Sequence, residues 1–220
     1  MKAIVFVGPS LDRAKLSCLS AATPAPPVKR GDLAAVDAYD VIVILDGEFG
    51  QHDSVSPKEI LAVLAKGKTV IGAASMGALR ASELDRSGMI GVGWVYDYFR
   101  RQAVRRDADV ALTYSMFDFK PMTVPVVDVE YWMEGALAAG LIGRREQTLV
   151  LKTARKFFFA ERTADMLADA LRRAIGNRLL QSLLDFSGGG IPSIKSLDAE
   201  AAVRRAAVVT SCETPDARHG

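Results

Sequence analysis

The chain has 220 residues, with 28 basic and 26 acidic side chains, so its formal charge is only +2. Half of it is hydrophobic and 7% is aromatic. That is enough apolar material for a core, and the near-neutral balance excludes both a strongly basic nucleic-acid binder and a polyacidic tail. Two cysteines (Cys18, Cys212) and two histidines (His52, His219) are too few for a disulfide scaffold or a zinc site, so no metal and no cofactor are expected. The apolar opening, Met1 to Pro9, is too short for a signal peptide, and no window reaches the ~20 apolar residues of a membrane helix. A soluble, cytoplasmic protein that engages neither nucleic acid nor membrane is expected.

In chain order, the first expected strand is 3–7, which runs into Gly8-Pro9-Ser10. Residues 21–31 are Pro-rich and are expected as a loop. The second strand, 41–45, runs into Asp46-Gly47. A helix is expected over 57–66, with Ser56 as N-cap, Pro57 at the first helical position and Gly67 past the end. The third strand, 69–72, leads into Ala73-Ala74-Ser75 and a helix over 75–86 closed by Gly88. Unbroken Val/Ile runs of this length suit strands buried on both faces of a parallel sheet. The fold class is therefore α/β: an open, mainly parallel sheet flanked by helices in the N-terminal half. A further helix is expected over 94–104 and a strand over 109–115. From Asp128 onward the apolar spacing turns helical, as in Val129-Trp132-Met133-Ala136, so the C-terminal part is expected to be mostly helical. The expected division is 1–127 for the α/β core, 128–209 for a helical part packed on it, and 210–220 for a disordered tail. Cys18 is expected in the core and Cys212 in the tail.

In open parallel sheets, ligands gather beyond the C-terminal strand ends. Ala73-Ala74-Ser75-Met76-Gly77 is a strand-to-helix turn with a serine at its apex and small residues two places to either side, an approximation to a nucleophile elbow. There Ser75 is a candidate nucleophile, and the backbone amides of Met76 and Gly77 at the helix start face where an oxyanion forms. Ser75 as a plain N-cap accounts for the same residue. With histidine so scarce, the base falls to a lysine. Lys58, in the first turn of the helix after the second strand, is the first candidate, and Lys195, in a loop after Pro192, is the reserve. Asp46 at a strand end and Arg80 in the Ser75 helix are candidate substrate-binding residues. So are Gly8 and Ser10, whose Gly-Pro-Ser turn resembles the start of a phosphate loop but lacks its Gly-Lys-Ser/Thr ending. A turn carboxylate and a surface ion pair are the plainer readings of Asp46 and Arg80. The cluster Arg100, Arg101, Arg105, Arg106 reads either as favourable charge at a helix end or as a docking patch.

Taken together, several strings resemble the TfuA family. They are Phe6-Val7-Gly8-Pro9-Ser10, Asp46-Gly47-Glu48-Phe49, Lys58-Glu59-Ile60, Gly72-Ala73-Ala74-Ser75-Met76-Gly77-Ala78-Leu79-Arg80-Ala81 and Gly88-Met89-Ile90-Gly91-Val92-Gly93. The resemblance is dense over residues 4–115 and thinner afterwards, where Lys195-Ser196-Leu197-Asp198 fits a later motif. It implies a role in peptide-backbone thioamidation beside a YcaO-type enzyme. It also implies hydrolysis of the C-terminal thiocarboxylate of a ThiS-like sulfur-carrier protein, and a Ser-Lys pair as the machinery, with Ser75 matching the family's serine and Lys58 taken as its lysine. A non-catalytic YcaO adaptor is the alternative, and a small-ester hydrolase or phosphate binder is a third class.

Charge is uneven along the chain. Residues 1–143 carry 15 basic against 17 acidic groups, and residues 144–205 carry 12 against 7. If the helical part forms one body, it is the more basic one and the expected dock for an acidic partner.

Overall fold

A computed structural model describes residues 1–19, 21–50 and 52–211. Cys212, His219 and most of the expected tail therefore lie outside the described residues. The chain divides into two compact units, Met1–Arg105 together with Lys195–Gly220, and Arg106–Ile194. The division expected at 127/128 falls inside the second unit, and the last helix belongs with the first.

The first unit is built on a five-stranded, wholly parallel sheet: β1 Ala3–Phe6, β2 Thr23–Ala25, β3 Val41–Ile44, β4 Thr69–Gly72 and β5 Ile90–Gly91, in the order β2-β1-β3-β4-β5. β1 and β3 are buried along their whole length and β4 along all but Thr69, as the Val/Ile runs required. The Pro-rich segment expected as loop contains β2. Pro24 is tolerated there because an edge strand needs no donor on its outer side, and Val7 N–H extends the pairing to Ala25 O at 3.0 Å.

Helix α1 (Arg13–Leu19) carries Cys18, which is exposed and not in the core. Its buried contact is Leu16. Helix α2 spans Pro57–Ala65 and starts as its sequence dictates, with a capping box between Ser56 and Glu59 and Pro57 at its first position. Helix α3 spans Met76–Leu84, and α4 spans Trp94–Arg101, ending where Gln102 turns extended. Helix α9 (Ile194–Ser211) continues through Thr210 and Ser211, which the expected tail had included. One face of the sheet, Ala3, Val5, Val7, Val41, Val43, Leu45, Ile71 and Ala73, packs against Leu16 and against Ala199, Ala202, Val203 and Ala206 of α9. The period of two on the strands meets an i, i+3, i+4, i+7 stripe on the helix.

The second unit is helical: α5 Val126–Ala138, α6 Arg144–Ala154, α7 Ala164–Ile175 and α8 Asn177–Phe186. They close on a core that includes Val129, Trp132, Met133, Ala136, Val150, Leu167, Leu171 and Leu183. The strand expected over 109–115 is absent. Asp107–Asp109 form a short 3-10 turn, and the chain then makes a hairpin whose pairing is a single bridge between Tyr114 and Pro121. Ser115 N–H donates to Lys120 O at 2.9 Å and Met122 N–H to Thr113 O at 2.8 Å. The segment joins no sheet and pairs only with its own return.

The charge asymmetry disappears at this level. Residues 106–194 hold 11 basic and 11 acidic side chains, chiefly because the six carboxylates between Asp107 and Glu134 belong to this unit, and in smaller part because Lys195, Arg204 and Arg205 go with α9. Among the described residues no helix is long and apolar enough to cross a membrane.

Candidate functional site

The order β2-β1-β3-β4-β5 reverses direction at the β1/β3 boundary, the switch point beside which doubly wound sheets hold ligands. Three candidate strings leave the C-terminal ends of β1, β3 and β4 there. The Asp46 carboxylate is buried and accepts from Gly8 N–H at 2.8 Å, from Ser10 N–H at 3.0 Å and from the Ser10 hydroxyl at 2.7 Å. Gly8, Ser10 and Asp46 are thus brought together, and Asp46 acts as the clamp that shapes the loop after β1.

The turn after β4 is strained. Ala74 takes a left-handed φ of 65°, and Ser75 N–H donates back to Ala73 O at 2.7 Å, closing a three-residue turn around it. For a residue with a Cβ this backbone costs on the order of 1–3 kcal/mol. The turn presents Ser75 at the N-cap position of α3, yet its side chain makes no capping bond. Ser75 is 2% exposed, and its hydroxyl bonds to no described residue. The capping role open to it in the sequence is not used.

The two amides proposed for an oxyanion differ. Gly77 N–H points at Leu45 O, 3.4 Å away, whereas Met76 N–H has no partner among the described residues and opens the positive end of α3. Gly77 itself is obligatory. A Cβ there would lie 1.7 Å from Ile44 O, so α3 starts in backbone contact with β3.

Arg80 does not stand free for a substrate. Its Nε donates to Val55 O at 2.9 Å, one terminal nitrogen to the Ser54 hydroxyl at 2.9 Å, and the other pairs with Glu83 at 2.8 Å. It ties the segment before α2 to α3. The two lysines differ sharply: Lys58, second in α2, is exposed, and Lys195, second in α9, is 2% exposed. Lys195 is therefore a helix residue and not the loop residue expected. The arginine cluster is largely engaged at home. Arg100 pairs with Asp85 at 3.1 Å and lies over Tyr96, Arg101 lies over Trp94, and Arg105 donates to Ser82 O at 3.1 Å.

A family model described as TfuA-like protein matches residues 46–163, more than half of the chain. The chain belongs to the TfuA-like family. No curated protein matches it. The matched region holds Asp46, Lys58, Ser75, Met76, Gly77 and Arg80, whereas Gly8, Ser10 and Lys195 lie outside it. Membership gives this TfuA-like protein a general role in the YcaO-associated pathway.

Sequence reasoning overlooked Asp198. Its buried carboxylate accepts from Trp94 N–H at 2.9 Å and from Val95 N–H at 2.7 Å, capping α4 from a helix about a hundred positions away in sequence. Burial pushes its pKa up to about 6, with the nearby Asp97 charge adding to the rise and the two N–H donors opposing it. The available signal was Gly93 at the start of α4, where no side chain can cap.

Proposed function

We propose that this TfuA-like protein hydrolyses the C-terminal thiocarboxylate of a small ThiS-like sulfur carrier. The sulfide released serves a YcaO-type enzyme in peptide-backbone thioamidation, and the protein helps that enzyme engage its peptide. One observation carries the reading: the buried Ser75 hydroxyl, held on a strained turn and bonded to no described residue, beside the uncommitted Met76 amide.

In this reading Ser75 Oγ attacks the thiocarboxylate carbon while a neutral lysine amine takes its proton. Met76 N–H and the end of α3 stabilise the oxyanion. The tetrahedral species expels sulfur, which leaves as hydrosulfide with the proton returned by the lysine, and an acyl-serine ester remains. Water, deprotonated by the same amine, cleaves the ester and restores the serine, leaving the carrier with a carboxylate. Sulfide is a far better leaving group than an amine, so no histidine is required.

Lys195 suits the base better than Lys58. Lys195 is buried and so shielded from bulk water, the setting in which lysine works as a base, whereas Lys58 is exposed. Ala74, next to Ser75, and Ala199, one turn beyond Lys195, both line the core between the sheet and α9, and the variants below test whether the two functional side chains work as a pair. The test is sulfide release from a thiocarboxylated carrier by Ser75→Ala, Lys195→Ala and Lys58→Ala. Ser75→Ala is expected to lose about 10³-fold or more, and an undiminished rate overturns the reading. Loss in Lys58→Ala with full activity in Lys195→Ala transfers the base to Lys58.

A second reading, a YcaO adaptor without chemistry, is favoured by the hairpin of the second unit, where Phe117 is 99% exposed and Met116 and Met122 are exposed beside it. Phe117→Ser is then expected to weaken thioamidation by the YcaO enzyme with sulfide supplied free. It should change stability by less than about 0.5 kcal/mol, because the side chain touches almost nothing.

A further inference from the structure

We propose that Asp198 is the positioning residue for Lys195, fixing the first turns of α9 so that the lysine amine is presented at the site. This rests on Lys195 being the base of the reading above. The two side chains are three apart on α9 and so share a face. The α9 residues that pack on the sheet are Ala199, Ala202, Val203 and Ala206, mostly methyl groups. Apolar packing is non-directional, and a row of alanines against a sheet gives little resistance to a helix that slides or rolls. The Asp198 carboxylate supplies direction. It grips two successive amides of α4, Trp94 N–H and Val95 N–H, the donors a helix start leaves unsatisfied.

The other side of the contact is built to receive it. Gly93 holds a φ of +94°, and a Cβ there would lie 2.2 Å from the Asp198 carboxyl carbon, so the approach exists only because position 93 is glycine. α4 in turn packs on α3, the helix that opens at Ser75. A continuous path of contacts, from Ser75 through α3 and its packing on α4 to the two hydrogen bonds at Asp198, thus bears on where α9 begins, and Lys195 lies within one turn of its anchor. A carboxylate buried this way is an expensive cap. A serine or asparagine at position 93 would cap α4 without burying a charge, but it would not tie α4 to α9.

The experiment uses the full chain with Asp198→Asn, which is isosteric, and Asp198→Ala. Sulfide release is expected to show kcat down about 10- to 100-fold with KM within about twofold, the Asn variant losing less than the Ala variant because it keeps one acceptor. A purely structural cap would lower the unfolding midpoint and leave kcat per folded molecule unchanged, which overturns the proposal. Should Ser75→Ala be inactive while Lys195→Ala is fully active, the hydrolase stands and this inference falls. A second readout needs no turnover: native-state reductive methylation of Lys195, followed by peptide mass. Methylation is expected to be at least about fivefold faster in Asp198→Ala, with Lys58 unchanged, and equal rates at Lys195 overturn the proposal even if the chain hydrolyses nothing.

Discussion

Gly77→Ala is the sharpest probe of the link between fold and site. The added Cβ would sit 1.7 Å from Ile44 O and 2.6 Å from Ile44 C, both backbone atoms of β3 that cannot swing aside. To reach even 3.0 Å, the start of α3 must retreat by roughly 1.3 Å. Overpacking a rigid core costs about 1–3 kcal/mol in ordinary cases. With backbone on both sides the upper end applies, so a loss of about 3 kcal/mol is expected, or a fall of about 6–12 °C in the unfolding midpoint for a chain of this size. The retreat carries Ser75 and Met76 N–H with it, and a misplacement near 1 Å costs on the order of 10²-fold in rate. The assay is thermal unfolding alongside sulfide release at a temperature where the variant is folded. Gly190→Ala serves as control, since a Cβ there meets nothing within 4 Å and should shift stability by less than about 0.5 kcal/mol. A Gly77→Ala protein with an unchanged midpoint and unchanged turnover would refute both the close approach of α3 to β3 and its role in placing the serine.

Two further outcomes follow from the same geometry. Asp46→Ala removes the acceptor of three buried hydrogen bonds; at about 1.5 kcal/mol for each charge-assisted bond, a loss of about 4.5 kcal/mol is expected by denaturant titration, and a loss under about 1 kcal/mol would show that the β1 loop needs no clamp. Asp198 gives a pH signature. Its folded pKa is raised from 3.8 to about 6, so its contribution to stability is fully present below about pH 4 and is lost as pH rises through 6. The stability of Asp198→Asn minus that of the parent should therefore grow by up to about 3 kcal/mol between pH 4 and pH 7. A flat difference would mean that the carboxylate is not desolvated.

What could be read in advance was local. The Val/Ile runs gave β1 and β3 to within one residue and β4 at its observed ends, and Ser56-Pro57-Lys58-Glu59 spelled out the start of α2. The serine turn was visible because small residues on both sides of Ser75 announce a tight backbone. The failures come from partners distant in sequence. β2 hid in a Pro-rich segment because its pairing with β1 is set by the edge of the sheet and not by its own pattern. The segment after Asp109 reads as a strand but has no neighbour except itself. Asp198 was visible only as the end of a motif string, since the amides it accepts from, those of residues 94 and 95, lie about a hundred positions away. Arg80 looked available for a substrate because the carbonyl and hydroxyl that occupy it belong to residues 54 and 55. Counting charges along the chain likewise left six carboxylates between Asp107 and Glu134 out of the helical unit to which they belong.

The return of α9 to the sheet, after all of residues 106–194, has a consequence for the order of events during synthesis. The strands and α1 to α4 emerge from the ribosome complete, yet one face of their sheet has only Leu16 of α1 and its neighbours against it until Ala199 to Ala206 are made. At ordinary elongation rates of 5–20 residues per second, roughly 5–20 s separate the two. Through that interval the nascent chain displays a row of valines and leucines, and α4 lacks its cap. Nascent chains that end before Lys195 should therefore be the aggregation-prone and chaperone-bound species of this protein.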